Sequence, residues 1–271
     1  AYFALIKRFM AIGWTQRRKK RIAKPAMRRA HLEICERTVE VSLRANPRAR
    51  RYIVKVDPIT GEVSVTAPSS RSLSDALDFA KKESDWIAGM LADVPEPIEV
   101  NLGAPILFCG ALHVLLPGDA PKGGARRGPI WIDDTASLPT IRVTGRSEHV
   151  PRRVRDWLKA EARKRIGERV AEYSKSLDLQ PKRVTVRDTT SRWGSCSSHN
   201  YLSFSWRLVM APAHVLDYVV AHEVAHLREL NHEPRFWRLV EKLVPHTKRS
   251  QIWLDEHGAT LYRYAPRLRK S

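Results

Sequence analysis

Residues Val219-Val220-Ala221-His222-Glu223-Val224-Ala225-His226 set two histidines four positions apart in an apolar run, with a glutamate beside the first. On an α-helix four residues turn the chain through about 400° and advance it ~6 Å, so both imidazoles stand on one face and can grip a single ion. Glu223 lies about 100° round from His222, outside the ion's own ligands but within reach of a water bound to it. That is the placement of a general base. Leu216, Val220, Val224 and Leu227 form a stripe on roughly the opposite side, so the helix is expected to pack by one face and turn its histidines to a cleft. Two core histidines flanking a glutamate are the competing reading, and they would be costly to desolvate.

Catalytic zinc takes three protein ligands and leaves a fourth position for water. The third candidate is His232. A continued helix would point it about 240° away from His226, so the helix has to end first. Asn231 tolerates the left-handed backbone that ends helices, and Pro234 suits the first turn of a new one. His232 sits in that break, free to swing back.

Along the rest of the chain, strand patterns precede helical ones. Val39, Val41 and Leu43 alternate with polar residues, Ile53 and Val54 lead to Val56, and Val63, Val65 and Ala67 alternate again, which reads as an antiparallel meander. Ser72 and Asp75 resemble a capping box opening a helix that runs to about Ala92, before Pro95 and Pro97. Short strands follow around Ile106–Phe108, Leu112–Leu116, Ile130–Ile132 and Ile141–Val143, with Pro117–Gly128 as an exposed loop. Val154, Trp157, Leu158, Ala162, Ile166 and Val170 then mark a long helix, Val184 and Val186 a strand, and Tyr201–Trp206 another. No internal repeat is evident. The expected architecture is α+β, with a basic extension over 1–37, a strand-rich region over 38–147 containing one helix, and a helical catalytic region over 148–271 with a small sheet.

Charge is distributed unevenly over the 271 residues. Lys and Arg number 48 against 29 Asp and Glu, a net +19, and ten of the basic residues fall in the first 30 positions. That stretch can be read as a basic amphipathic helix for an anionic surface, a nucleic-acid-binding arm, or a solvated extension. Its apolar part precedes its basic cluster, the reverse of a secretory signal. No apolar run reaches the ~18 residues of a membrane-spanning helix. Cys35, Cys109 and Cys196 form neither a CxxC pair nor a set of bridges, which fits a reducing, cytoplasmic setting.

The run His222-Glu-Val-Ala-His226-Leu-Arg-Glu-Leu-Asn-His232, then Phe236-Trp237, preceded by Arg192-Trp193-Gly194-Ser195-Cys196-Ser197, resembles the YgjP-like metallopeptidase-domain family, related to the SprT-like zinc proteases. The resemblance spans about residues 38–265, including Asn46-Pro47-Arg48-Ala49-Arg50, and leaves out the basic N-terminal segment. It implies a zincin-like fold, one zinc ion per chain held by His222, His226 and His232, and Glu223 as the catalytic residue.

The Arg192–Ser197 motif is expected near the cleft, ahead of a strand, with Gly194 permitting a tight backbone path. Arg192 is a candidate substrate contact, for a carboxylate, a phosphate or a developing oxyanion, with a structural ion pair to Asp188 as the alternative. Phe236 and Trp237 are expected to pin the His232 turn from behind, Tyr218 to line the cleft, and His246 and His257 to be exposed. Tyr262 and Tyr264 are weaker candidates for a transition-state donor. Cys196 is left out of the ligand set.

The expected function is a zinc metallohydrolase, a metallopeptidase using a zinc-bound water activated by Glu223 on a peptide or protein substrate. One alternative is a nucleotide pyrophosphohydrolase using the same metal, with Arg192, Lys182 and Arg187 on phosphates. Another is a nucleic-acid-binding module with a structural zinc, in which the basic N-terminal segment contacts phosphates.

Overall fold

The computed structural model describes residues 27–57, 60–94, 96–119, 129–189 and 192–264. Most of the basic N-terminal stretch and the centre of the Pro117–Gly128 loop lie outside those residues, as do the readings made on them. By backbone contacts the chain divides into two compact units, one ending at Glu96 and the other, within the described residues, starting at Pro97.

The first unit is a four-stranded sheet with β1 (Met27–Ile34), β2 (Arg37–Ala45), β3 (Ile53–Val56) and β4 (Val63–Ala67) in the order β1-β2-β4-β3. Strand β1 corrects the expected extension to residue 37. Leu32 and Ile34 are buried and alternate with His31 and Glu33, a two-residue period that the surrounding basic charge conceals. The β1–β2 hairpin closes through Cys35 and Glu36, both at positive φ (47° and 62°), a two-residue loop whose twist matches that of the flanking strands. Strand β2 pairs parallel with β4, so the sheet is not a simple meander. The single expected helix is two, α1 (Leu73–Lys82) and α2 (Ser84–Ala92), interrupted at Glu83. Ser72 does not close a capping box, since its hydroxyl donates to Ser69 O (3.1 Å). Leu73, Ala76, Ala80 and Ile87 cover the sheet and share one core with Val41, Leu43, Val63 and Val65.

In the second unit β5 (Pro105–Phe108), β6 (Ala111–Pro117), β7 (Ile130–Asp133) and β8 (Thr140–Val143) adopt the order β5-β6-β8-β7, again with a parallel pair at the centre. The topology of the first sheet is thus repeated where the sequence shows no repeat. Helix α3 (Val150–Ser176) follows the expected pattern, and Val154, Leu158, Ala162 and Ile166 share a single core with Ile106, Phe108, Leu115 and Ile141. A division near residue 147 would cut through that core. The compact units separate at 96/97 because the second set of strands buries its apolar face in the same core as the helical region.

The third sheet contains β9 (Arg183–Arg187), β10 (Gly194–Cys196) and β11 (Tyr201–Ser205) in the order β10-β11-β9, which leaves β10 at an edge. A 3-10 turn over Trp206–Met210 leads into α4 (Ala213–Ala225), followed by α5 (Pro234–Leu243) and α6 (Thr247–His257). The fold is α+β. Among the described residues no helix is long and apolar enough to cross a membrane.

Candidate metal centre

Helix α4 carries His222 and Glu223 and ends on His226. Ten of its thirteen residues are buried, so it is enclosed on all sides and does not turn an open face to a cleft. The reason lies in its neighbours: α3, β10, α5 and α6 all pack against it.

The helix stops at Ala225 without a left-handed residue. Leu227 N–H bonds to Val224 O (3.0 Å) and Arg228 N–H to Ala225 O (3.1 Å), so the last turn tightens to an i to i−3 pattern. Asn231 has no positive φ, which corrects the expectation that it ends the helix. Pro234 does open the next helix. The intervening segment brings His232 back beside the two helical histidines.

Three Nε2 atoms converge there. His226 Nε2 lies 3.2 Å and His232 Nε2 3.1 Å from His222 Nε2. Two nitrogens each about 2.0–2.1 Å from one tetrahedral ion stand roughly 3.3 Å apart, so the spacing fits a shared cation. The protonation chemistry fits as well. Burial lowers the pKa of all three rings, His222 well below its ordinary value, His226 to about 4 despite the opposing effect of its bond to Glu229, and His232 in the same direction. Neutral imidazole has one lone pair to give. His226 Nδ1 sits 2.9 Å from Glu229 O, which assigns its proton to Nδ1 and leaves the Nε2 lone pair facing its neighbours. The three histidines could hold a metal ion, and no other cluster of three or more His, Cys, Asp or Glu among the described residues could do so.

Phe236 forms the floor of the cluster. Its ring stacks on His226 (centroids 4.5 Å) and meets His222 and His232 edge-on at 4.8 and 4.7 Å. Trp237 Nε1 donates to His232 O (3.2 Å) and so fixes the backbone that presents the third ring. Both residues thus pack behind the histidines as the sequence suggested.

Glu223 is held against the edge strand. A β-carbon at Gly194 would lie 2.6 Å from Glu223 Cγ, so only glycine leaves room for the carboxylate to approach β10 this closely. The Cys196 backbone N–H donates to that carboxylate. Burial pushes the Glu223 pKa up to about 8, against the lowering effects of the Arg192 charge and the Cys196 amide. The Cys196 thiol is itself pushed up to about 12, first by burial and then by Glu223, and it is not part of the histidine cluster.

Several expectations change. Asp188 pairs with Arg207 (3.3 Å), not with Arg192, and Arg192 is exposed. Tyr218 is buried, its ring 5.9 Å from His222, and its hydroxyl accepts from Gln251 Nε2 (3.0 Å). Tyr262 donates its hydroxyl to Thr189 O (2.9 Å), and the carbonyl of buried Tyr264 accepts from Arg207. His257 is exposed, but His246 is half-buried against His214. The backbone amide of Cys196 and the buried Arg207 went unrecognised in the sequence. A main-chain donor leaves no mark in the residue type, and a lone arginine after a strand has no distinctive pattern.

Comparison with known proteins gives a family match. A family model described as YgjP-like, metallopeptidase domain, matches residues 50–257. No curated protein matches the chain. Among solved structures, the crystal structure of the metallopeptidase zymogen of Pyrococcus abyssi abylysin aligns with 36% of this chain and 96% of its own at 22% identity. Its TM-score of 0.32 is too low to carry an argument.

Proposed function

This chain belongs to the YgjP-like metallopeptidase-domain family, and from that membership and the site's geometry we propose that it is a zinc-dependent peptidase. In this reading His222, His226 and His232 hold one zinc ion and Glu223 is the general base. The observation that carries it is the convergence of three neutral imidazoles through Nε2, with the Glu223 carboxylate on the adjacent position of the same helix.

A zinc ion bound there supplies Lewis acidity towards a substrate carbonyl and makes water more acidic. The chain's own groups do the rest. In its ionised form, which the Arg192 charge and the Cys196 N–H favour against burial, Glu223 takes a proton from the attacking water and passes it to the leaving amine. Phe236 closes the site behind the imidazoles and fixes their planes. Trp237 holds the His232 backbone in register.

The test compares wild type with Glu223→Gln and His222→Ala by element analysis and by hydrolysis of peptides and nucleoside triphosphates side by side, with chelator controls. Glu223→Gln should keep about one zinc per chain and lose roughly 10²–10⁴ in peptide turnover, the range a general base contributes. His222→Ala should lose the metal. Full activity in Glu223→Gln removes that residue from the mechanism, and Glu223-dependent pyrophosphate release without peptide cleavage moves the chemistry to phosphoanhydrides.

A further inference from the structure

The β9–β11–β10 sheet buries one face and leaves the other open. Leu202 and Phe204 of β11 are buried to 0% exposure, whereas on the other face Arg183, Arg187 and Tyr201 are exposed and Thr185, Ser195 and Ser203 half-buried. Register sets Arg183 opposite Tyr201, and Thr185 opposite Ser203, which in turn faces Ser195. A groove of about 350 Å³ lies over this face. Its walls contain three arginines, Arg183, Arg187 and Arg192, with serine, threonine and tyrosine hydroxyls between them and no carboxylate. None of the three guanidinium groups has an ion-pair partner among the described residues, whereas nearby Arg207 is paired.

Such a surface selects anions, since guanidinium forks and hydroxyl donors match carboxylate or phosphate oxygens. The spacing narrows the choice. Arg183 and Arg187 stand four residues apart on one strand, about 13 Å, with Thr185 midway. An extended peptide repeats its side chains on one face every ~6.6–7 Å, so acidic residues at alternate positions match this row. A single triphosphate is too short to span it. Single-stranded nucleic acid relies on successive aromatic platforms, and the groove offers Tyr201 alone.

The groove and the candidate catalytic carboxylate lie on opposite faces of the edge strand β10. Ser195 lines the groove, while its two neighbours on the edge strand, Gly194 and Cys196, touch Glu223. A polypeptide that lies over the β9 arginine row and crosses the free edge of β10 would therefore reach from the groove to the metal site on the other face of the sheet.

We infer that this polar sheet face is a subsite for acidic side chains, and that the substrate is a polypeptide with several aspartates or glutamates beside the scissile bond. The inference rests on the peptidase reading. Its selectivity lives in KM, because the arginines bind charge that does not change during the reaction.

The experiment uses the full chain loaded with zinc and a pair of unstructured peptides identical except for Glu-to-Gln replacements. At low salt kcat/KM should favour the acidic peptide by about tenfold, the sum of several individually weak exposed pairs. In the Arg183→Gln/Arg187→Gln double variant that ratio should fall towards one, with the loss in KM, and Arg187→Lys should retain part of it. Fluorescence anisotropy of the labelled acidic peptide on Glu223→Gln protein supplies a readout independent of turnover, and its affinity should fall with salt and with the double variant. Equal kcat/KM for the two peptides overturns the inference, as does a single-stranded oligonucleotide of matched charge that binds more tightly through the same arginines. Arginine-dependent capture of the acidic peptide without cleavage by wild type supports the groove and sinks the peptidase reading instead.

Discussion

The α-carbon of Gly194 faces the Glu223 side chain so closely that a β-carbon there would lie 2.6 Å from Cγ and 2.7 Å from Oε1. Neither side can yield easily, since Gly194 is paired into the sheet opposite Phe204 and Glu223 sits on a helix buried on all sides. Gly194→Ala therefore has to displace the carboxylate from the Cys196 amide. Displacing a catalytic group by an ångström costs on the order of 100-fold in rate, so turnover should fall by about that factor. Zinc content should be unchanged, because the ring contacts of the three imidazoles are with one another and with Tyr218, Phe236 and Trp237. Steady-state kinetics with element analysis on the same preparation checks both halves; loss of metal along with activity would contradict the assignment.

Trp237 meets the candidate metal site in two ways, by ring contacts with His222 and His232 (centroids 6.0 and 5.9 Å) and by donating to the His232 carbonyl at 3.2 Å. Trp237→Phe keeps an aromatic ring against Phe236 and His232 but removes the donor. Groups that orient a metal ligand without touching the ion typically contribute 10- to 100-fold in affinity, and this one, partly exposed, should give about tenfold. Competition with a chromophoric zinc chelator measures it. Unchanged zinc affinity would reduce Trp237 to packing.

Much of this site was legible because its chemistry demands spacing. His222 and His226 had to share a helix face, and His232 could join them only if the helix broke, which Pro234 signalled. What the residues could not disclose was how the break is made. The tightened last turn at Leu227 and Arg228 uses ordinary backbone bonds open to any residue, so Asn231 offered a false cue. The α+β class followed from the two periodicities, but the partition at 96/97 did not. Strand alternation shows that Ile106, Leu115 and Ile141 face a core and cannot say which one, and that core proves to be shared with α3. The β1 strand was hidden for a different reason: its buried positions number only two clear apolar residues, Leu32 and Ile34, and its first half carries Arg28 and Arg29 in continuation of the basic run before it.

Arg207 is 2% exposed, donates to Leu261 O (3.0 Å) and Tyr264 O (2.7 Å), and lies between the rings of Trp206 and Tyr262 at 4.5 and 4.9 Å. It ties the end of the described chain to the turn that launches α4. Arg207→Met fills a similar volume but strips two buried carbonyls of their donor and leaves Asp188 without this partner. Removing one member of a buried pair costs about 3–5 kcal/mol, and a loss of that size is expected in urea unfolding. The surviving folded fraction should still bind zinc, because the partners of Arg207 named here, Asp188, Leu261, Tyr264, Trp206 and Tyr262, do not include the histidines.

Asp133 and Arg142 give the β7–β8 pair a dependence on acid. Asp133 Oδ1 accepts from the Thr135 hydroxyl (2.6 Å) and backbone N–H (3.1 Å), and Oδ2 from Arg142 Nε (2.9 Å). Above all the Thr135 hydroxyl, then Arg142, lowers the Asp133 pKa from 3.8 to about 2. A carboxyl whose pKa is lower folded than unfolded binds more protons in the unfolded state, so its contribution is complete above the unfolded value and declines as pH falls towards the folded one. The stability advantage of wild type over Asp133→Asn should accordingly be level above about pH 5, shrink between roughly pH 4 and pH 2, and reach its lower limit below that. Urea unfolding of the two proteins at matched ionic strength across this range provides the test. A difference that stays constant down to pH 2 would mean that the carboxylate gains nothing from these partners on folding.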